Sequence, residues 1–286
     1  MVLSAEASLY RGRQIALLTQ HGKERVIGPV LEPALNCRIE LVSGYDTDLL
    51  GTFTRDIPRA GTQLDAARRK ARIGMELSGL PCGLASEGSF GPDPFAALFP
   101  WNIEMLIFID AERDLEIVGT ARGRANFAHL LTSDWAAAEA FADRLGFPEH
   151  HLVVRPQSEE NPRICKGIAS WAELRSAFER APAQSSDGQV FLESDLRAHA
   201  NPSRMNNIRL AAQDLLTKIL SPCPACGVPG FSPVERVPGL PCGACGAPTR
   251  ETRAEVWGCV RCANRQTRDC TGSTEADPAY CDYCNP

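Results

Sequence analysis

Eight of the twelve cysteines in this 286-residue chain fall into four Cys-x-x-Cys knuckles: Cys223/Cys226, Cys242/Cys245, Cys259/Cys262 and Cys281/Cys284. The intervals between them are 15, 13 and 18 residues. Two thiolates three positions apart can grip one face of a zinc ion, and a second knuckle completes the tetrahedron. Four knuckles therefore imply two zinc ions, each held by four thiolates. Closed all-cysteine sites are usually structural, so the motif names a cofactor and leaves the function open. Gly227 and Gly246 follow the second ligand of the first two knuckles, where glycine relieves crowding.

Disulfides are the competing use of these cysteines. The first ten residues are short and mixed and lack the charged-then-apolar pattern of a secretory signal. The expectation is a cytoplasmic chain with reduced thiols. A redox Cys-x-x-Cys normally comes singly on a βαβ scaffold. Cys37, Cys82 and Cys165 read as buried apolar residues, and Cys270 as a spare thiol. Spacing alone does not settle which knuckles pair. Consecutive pairing, first with second and third with fourth, is the expectation; nested pairing around the segment between Cys245 and Cys259 is the alternative. A tail this small needs metal binding for much of its folding free energy.

The elements that must carry any other chemistry lie upstream. Residues 1–220 are expected to form an α/β domain and residues 221–286 a zinc-ribbon module, with the boundary at Ser221-Pro222. No apolar run reaches membrane-spanning length. Gln14–Leu18, Arg38–Val42, Ile103–Asp110, Leu115–Ala121, His151–Arg155 and Gln189–Leu192 read as strands. Thr62 with Asp65 forms a capping box, and Leu64, Ala67, Ala71 and Met75 give its helix a buried stripe. Asp134–Leu145 is a second helix ended by Gly146, Ser170 with Glu173 caps a third, and Asn201-Pro202 opens the last. The alternation predicts a mixed or parallel sheet with flanking helices.

Four segments carry more polar residues than folding requires. Thr19–Glu24, with His21, Gly22 and Lys23, follows the opening strand where a helix begins, the place where anions bind; a solvated loop is the plain alternative. Arg68, Arg69, Lys70 and Arg72 share one helix, most simply as a solvated face, and Asp65 has a plain use as a cap. Ala85–Pro94 sets Ser86, Glu87 and Ser89 among glycines and prolines, as an exposed and approachable carboxylate at a strand end. Glu193, Asp195, Arg197 and His199 alternate after a strand and would share a face if it continued. They read equally as a site for a metal and a phosphate or as a structural ion-pair network.

At these segments the chain resembles an uncharacterised bacterial family known only as a domain of unknown function (DUF6671 type). The strings that carry the resemblance are HGKE, LGTFT, SEGSFGP, FLESDLRAHANPSRM, CPACG, GLPC and DPAYCDYCNP. That family brings no established activity. Residues 15–115 are also similar in layout to the inosine triphosphate pyrophosphatase superfamily. Thr19, His21 and Lys23 stand where that superfamily has Thr-x-Asn-x-x-Lys, with His for Asn and the Lys one residue early. Thr62, Asp65, Ala67, Lys70 and Ala71 match its second motif, with Ala66 where an Asn belongs. Gly79-Leu80-Pro81 and Ala85–Ser89 match its third, with one of two acids, Glu87, kept.

The second resemblance implies a divergent nucleotide-binding protein with nucleoside triphosphate pyrophosphatase as its activity. It implies Mg2+ as a second cofactor, held by Asp65 and Glu87, with Glu87 orienting water. His21, Lys23, Lys70, Ser86, Ser89 and Arg197 would bind substrate, and Glu193 and Asp195 form a further acidic cluster. The competing reading is a non-catalytic protein whose zinc module docks a partner. Residues 221–286 hold six Arg and no Lys against seven acidic residues, which disfavours nucleic acid as that partner and favours protein. Trp257, Tyr280 and Tyr283 are expected to form a mini-core in the tail rather than to stack bases.

Overall fold

Residues 9–47, 61–94, 97–270 and 272–286 are described by the computed structural model, and they fall into two units, Leu9–Leu216 and Thr217–Pro286. The first half of the larger unit comprises β1 (Gln14–Leu18), α1 (Glu24–Leu35), β2 (Arg38–Val42), α2 (Gln63–Ser78), β3 (Cys82–Pro92), β4 (Pro100–Asp110) and β5 (Leu115–Arg124). Its five strands form one sheet in the order β2-β1-β3-β4-β5. Strand β1 runs parallel to both neighbours, and β3, β4 and β5 follow as an antiparallel meander. The expected mixed sheet with flanking helices is therefore present.

Helix α2 starts where its sequence says it should. Thr62 accepts from the Asp65 backbone and Asp65 returns the bond, closing the capping box, while Gly79 ends the helix with φ 69°. Ala67 and Ala71 are fully buried against Ala85, Ile107 and Ile109, with Leu64 and Met75 partly buried beside them. Arg69 and Arg72 face water, and Arg68 lies half-buried along Glu116.

The segment read as a strand end with an exposed carboxylate is the body of the long strand β3, and Glu87 on it is buried, because the strand continues to Pro92. It pairs residue by residue with β4 from Cys82 to Pro92. Its small residues answer to packing. A Cβ on Gly83 would meet Met75 Sδ at 2.8 Å and the Ala71 carbonyl at 2.9 Å. Cross-strand register fixes two faces. Ala85, Glu87, Met105 and Ile107 look toward α2; Ser86, Gly88, Glu104 and Leu106 look away from it.

The rest of the larger unit comprises β6 (His129–Thr132), α3 (Trp135–Arg144), β7 (Leu152–Pro156), β8 (Cys165–Ile168), α4 (Trp171–Arg180), β9 (Val190–Ser194) and most of α5 (Pro202–Ile219), whose last residues begin the smaller unit. A second sheet, β6-β9-β7-β8, is antiparallel throughout. Its core of Phe141, Leu152, Val154, Leu174, Phe178 and Leu192 lies under α3 and α4. Ser170 and Asn201 cap their helices as expected, and Asp134, read as the first helical residue, is the cap of α3. Cys82 is buried, but Cys37 is half-buried and Cys165 is exposed, so only one of the three is a core residue.

The smaller unit carries β10 (Ser232–Pro238), β11 (Thr252–Gly258) and β12 (Arg265–Asp269) as an antiparallel meander. Phe231 packs 5.9 Å from Trp257, and the Arg268 guanidinium lies 4.3 Å over the indole. Tyr280 and Tyr283 do not join this core; they are 65% and 79% exposed. No helix among the described residues is long and apolar enough to cross a membrane.

Candidate functional site

Strand β1 ends at Leu18, and its last register pair with β3 is Leu17 with Leu84. From Ala85 onward the β1-side edge of β3 has no strand beside it among the described residues. The sheet order reverses here, since the chain steps from β1 to β2 and then back past β1 to β3. In open α/β sheets, ligands bind in such a crevice at the strands' carboxyl ends.

Lys23 fills part of this space. It is buried, and its amine donates to the Ser86 carbonyl oxygen at 2.9 Å, its one hydrogen bond among the described residues. Burial first, then the charges of Arg204 and Lys70, pull Lys23 down to about 7, against a weaker upward pull from Glu87 and Glu104. His21 lies close by, its ring 5.2 Å from that of His199. Burial, Lys23, His199, Arg204 and Arg197 together push His21 down to about 3, so the imidazole is neutral at ordinary pH.

Three other cations of the cluster each have a carboxylate. Lys70 pairs with Glu87 on the α2 face of the sheet. Arg204, fully buried near the start of α5, donates to Glu104 at 2.8 Å and to the Leu196 carbonyl at 2.6 Å. Arg197 pairs with buried Asp195 at 2.6 Å. Lys23 has no carboxylate within ion-pair distance among the described residues. Two acceptors are left over as well: Ser86 Oγ and Glu104 Oε2 are buried and have no partner there.

The residues expected to act together are only partly assembled. Lys23, His21, Lys70, Ser86 and Glu87 converge, and Gln63 ties them to Ser89 by donating to the Glu87 and Ile103 carbonyls and accepting from Ser89 Oγ at 3.0 Å. Asp65 is exposed and occupied by Thr62 and Arg68; the Thr62 bonds hold its carboxyl below the usual range. Glu193 pairs with buried Arg155 on the second sheet at 3.1 Å, so it does not share a face with Asp195. The strand that would have aligned the two ends at Ser194. Glu104, Arg204, Asn102 and Asn207 are the members that the sequence reading did not single out. Asn102 links two of them, donating to Glu104 at 3.0 Å and accepting from Asn207 at 2.8 Å. A lone Glu inside the apolar run Ile103–Asp110 was the available signal, because a buried carboxylate demands a partner.

In the smaller unit the eight knuckle cysteines gather into two sets, Cys223/Cys226/Cys259/Cys262 and Cys242/Cys245/Cys281/Cys284, with sulfurs within 4.8 Å of one another. The pairing is interleaved, first knuckle with third and second with fourth, and neither consecutive nor nested. Strand direction causes it. One strand separates each knuckle from the next, so successive knuckles lie at opposite ends of the meander. Sulfur–sulfur distances across the knuckles are 3.7 and 3.6 Å in one set and 3.8 and 3.7 Å in the other. A tetrahedron with metal–sulfur bonds of about 2.3 Å has edges of about 3.8 Å, whereas a disulfide needs about 2.0 Å. Each set could therefore bind a metal ion. Backbone amides of Ala244 and Arg261 donate to Cys242 and Cys259 at 3.4 and 3.3 Å, and the Asn264 side chain donates to Cys223 at 3.6 Å. Such donors orient thiolate ligands and tune their charge. Among the described residues no carboxylate set reaches three potential ligands.

Fold and site together define an α/β protein with a buried cationic cluster and a separate unit of two four-cysteine centres. The chain belongs to the family described as Domain of unknown function (DUF6671), whose model matches residues 70–286. No curated protein and no solved structure matches it.

Proposed function

We propose that the larger unit binds a nucleotide or another phosphorylated small molecule at the carboxyl edge of β1 and β3, with Lys23 as the anion anchor. One observation carries this reading: Lys23 is buried, has no carboxylate partner among the described residues, and sits beside cations that all have one. An unpaired buried ammonium is costly, and an anionic ligand removes that cost. The start of α1, at Glu24, adds amides that favour an anion at the same place. The layout of His21, Lys23, Lys70 and Glu87 supports the likeness to nucleoside triphosphate pyrophosphatases, and hydrolysis with release of pyrophosphate is the reaction that this likeness suggests. A Mg2+ ion at Glu87 would require the carboxylate to exchange Lys70 for the metal.

The experiment is direct. Full-length protein is titrated with a panel of nucleoside triphosphates, with and without Mg2+, and assayed for pyrophosphate. Binding that Lys23→Met abolishes supports the anchor. Pyrophosphate release lost in Glu87→Gln, with binding kept, supports catalysis. Absence of both leaves the non-catalytic reading, which the exposed Tyr280 and Tyr283 beside the second cysteine set favour as a protein-docking surface.

For the smaller unit the proposed metal is zinc, two ions in structural roles. Four thiolates at tetrahedral spacing suit zinc, and they suit a cytoplasmic protein whose thiols stay reduced.

A further inference from the structure

Ser86 Oγ and Glu104 Oε2 are buried polar atoms without a hydrogen bond among the described residues, in side chains that are 3% and 0% exposed as residues. Buried polar atoms in folded proteins are as a rule hydrogen-bonded, and an orphan calls for a ligand group or a water. The two belong to one place. Ser86 and Gly88 project from the same face of β3, and Glu104 stands opposite Gly88 on β4. Diagonal neighbours of this kind lie about 7–8 Å apart along the backbone, within the span of one sugar ring.

Their chemistry restricts what can fill them. The other oxygen of Glu104 already accepts from Arg204 and Asn102. A carboxylate oxygen accepts hydrogen bonds, so Oε2 needs a donor, while a serine hydroxyl can give or take. Lys23 donates to the Ser86 carbonyl, which sets the proposed anion anchor one residue's width from the Ser86 hydroxyl. A neutral donor group and an anion are thus wanted side by side. A ribosyl phosphate offers both, and a carboxylate holding ribose hydroxyls is a recurrent solution at the same edge of α/β sheets.

We infer that Ser86 and Glu104 form a subsite for the hydroxyls of a ribosyl phosphate whose phosphate rests at Lys23. The inference rests on the phosphate-binding reading above. Gly88 is what lets Glu104 lie against β3: its carboxylate and Arg204 Nη2 occupy the space a Cβ would need, the latter 2.8 Å from that point, which holds one Glu104 oxygen on Arg204 and leaves Oε2 for a ligand.

The test titrates full-length protein with a purine nucleoside monophosphate in its ribo, 2′-deoxy and 2′,3′-dideoxy forms, and with ribose 5-phosphate. The ribo form should bind about tenfold more tightly than the dideoxy form, the loss that an unmade hydrogen bond to a charged group produces. Ser86→Ala should narrow that gap while leaving the melting temperature unchanged, since the hydroxyl it removes has no partner to lose. Ribose 5-phosphate binding as tightly as the nucleotide also supports the subsite and removes the base from it. Equal binding of all three nucleotides, abolished by Lys23→Met, overturns the ribose subsite and keeps the phosphate anchor. No binding of any probe overturns both.

Discussion

The Glu104 carboxylate lies over Gly88, in the space a Cβ on that residue would need, and Arg204 Nη2 is 2.8 Å from the same point. The two strands can carry a buried ion pair here because residue 88 has no side chain. Gly88→Ala should therefore cost at least about 2 kcal/mol in urea denaturation, by overpacking and by dislodging a buried charge. Gly91, on the same strand with nothing within 4 Å of its would-be Cβ, is the control. Its alanine variant should stay within about 0.5 kcal/mol of the parent.

The Glu104–Arg204 pair is fully buried, at 0% and 1% side-chain exposure. Removing one partner leaves the other charged in a dry environment. Arg204→Met alone should destabilise by about 3–5 kcal/mol, and Arg204→Met with Glu104→Leu should recover most of that loss. A double variant no better than the single would show that the pair is not what makes Arg204 important.

Lys23 gives stability a defined pH dependence. Its folded value, about 7, lies below its ordinary 10.5. Between those values the unfolded chain binds more protons than the folded one, so this group makes stability rise with pH across that window. Below about pH 7 the lysine is charged in both states and the full cost of burying it is felt. Lys23→Met should accordingly raise the melting temperature at about pH 6, with an advantage that shrinks toward about pH 9. A Lys23→Met advantage independent of pH would place the effect in packing instead.

Interleaved pairing of the knuckles makes a prediction that consecutive pairing reverses. Protein with Cys223→Ser and Cys259→Ser, both in one set, should lose one equivalent of metal. Protein with Cys223→Ser and Cys242→Ser, one from each set, should lose both. Metal content by mass spectrometry of the native protein decides between the patterns. Chelation of the parent should unfold the smaller unit, because the bound metal supplies its folding free energy.

How much of this was legible depended on whether a signal was local. The Thr62–Asp65 box, the Ala67/Ala71 stripe and the knuckle positions are set by neighbours in sequence, and they read correctly. The apolar start of β3 is legible, but its continuation past Leu84 reads as an exposed strand end because glycine and serine are poor strand formers; their cause is Met75 above one face and Glu104 with Arg204 over the other, which no local window contains. The Glu104–Arg204 pair spans 100 residues of sequence and forms only when α5 meets β4. Knuckle pairing was in principle readable. Each interval between knuckles holds one strand, and a single antiparallel strand carries the chain to the opposite end of a sheet.

The measurement that bears most directly on Lys23 as an anion anchor is a calorimetric titration of a nucleoside triphosphate into parent and Lys23→Met protein at about pH 6.5, below the lysine's folded value. The parent should bind, more weakly as pH rises through about 7, and the variant should bind at least about tenfold less well while melting no lower. Equal affinity in the two proteins, or binding that does not weaken as Lys23 loses its proton, would contradict that role.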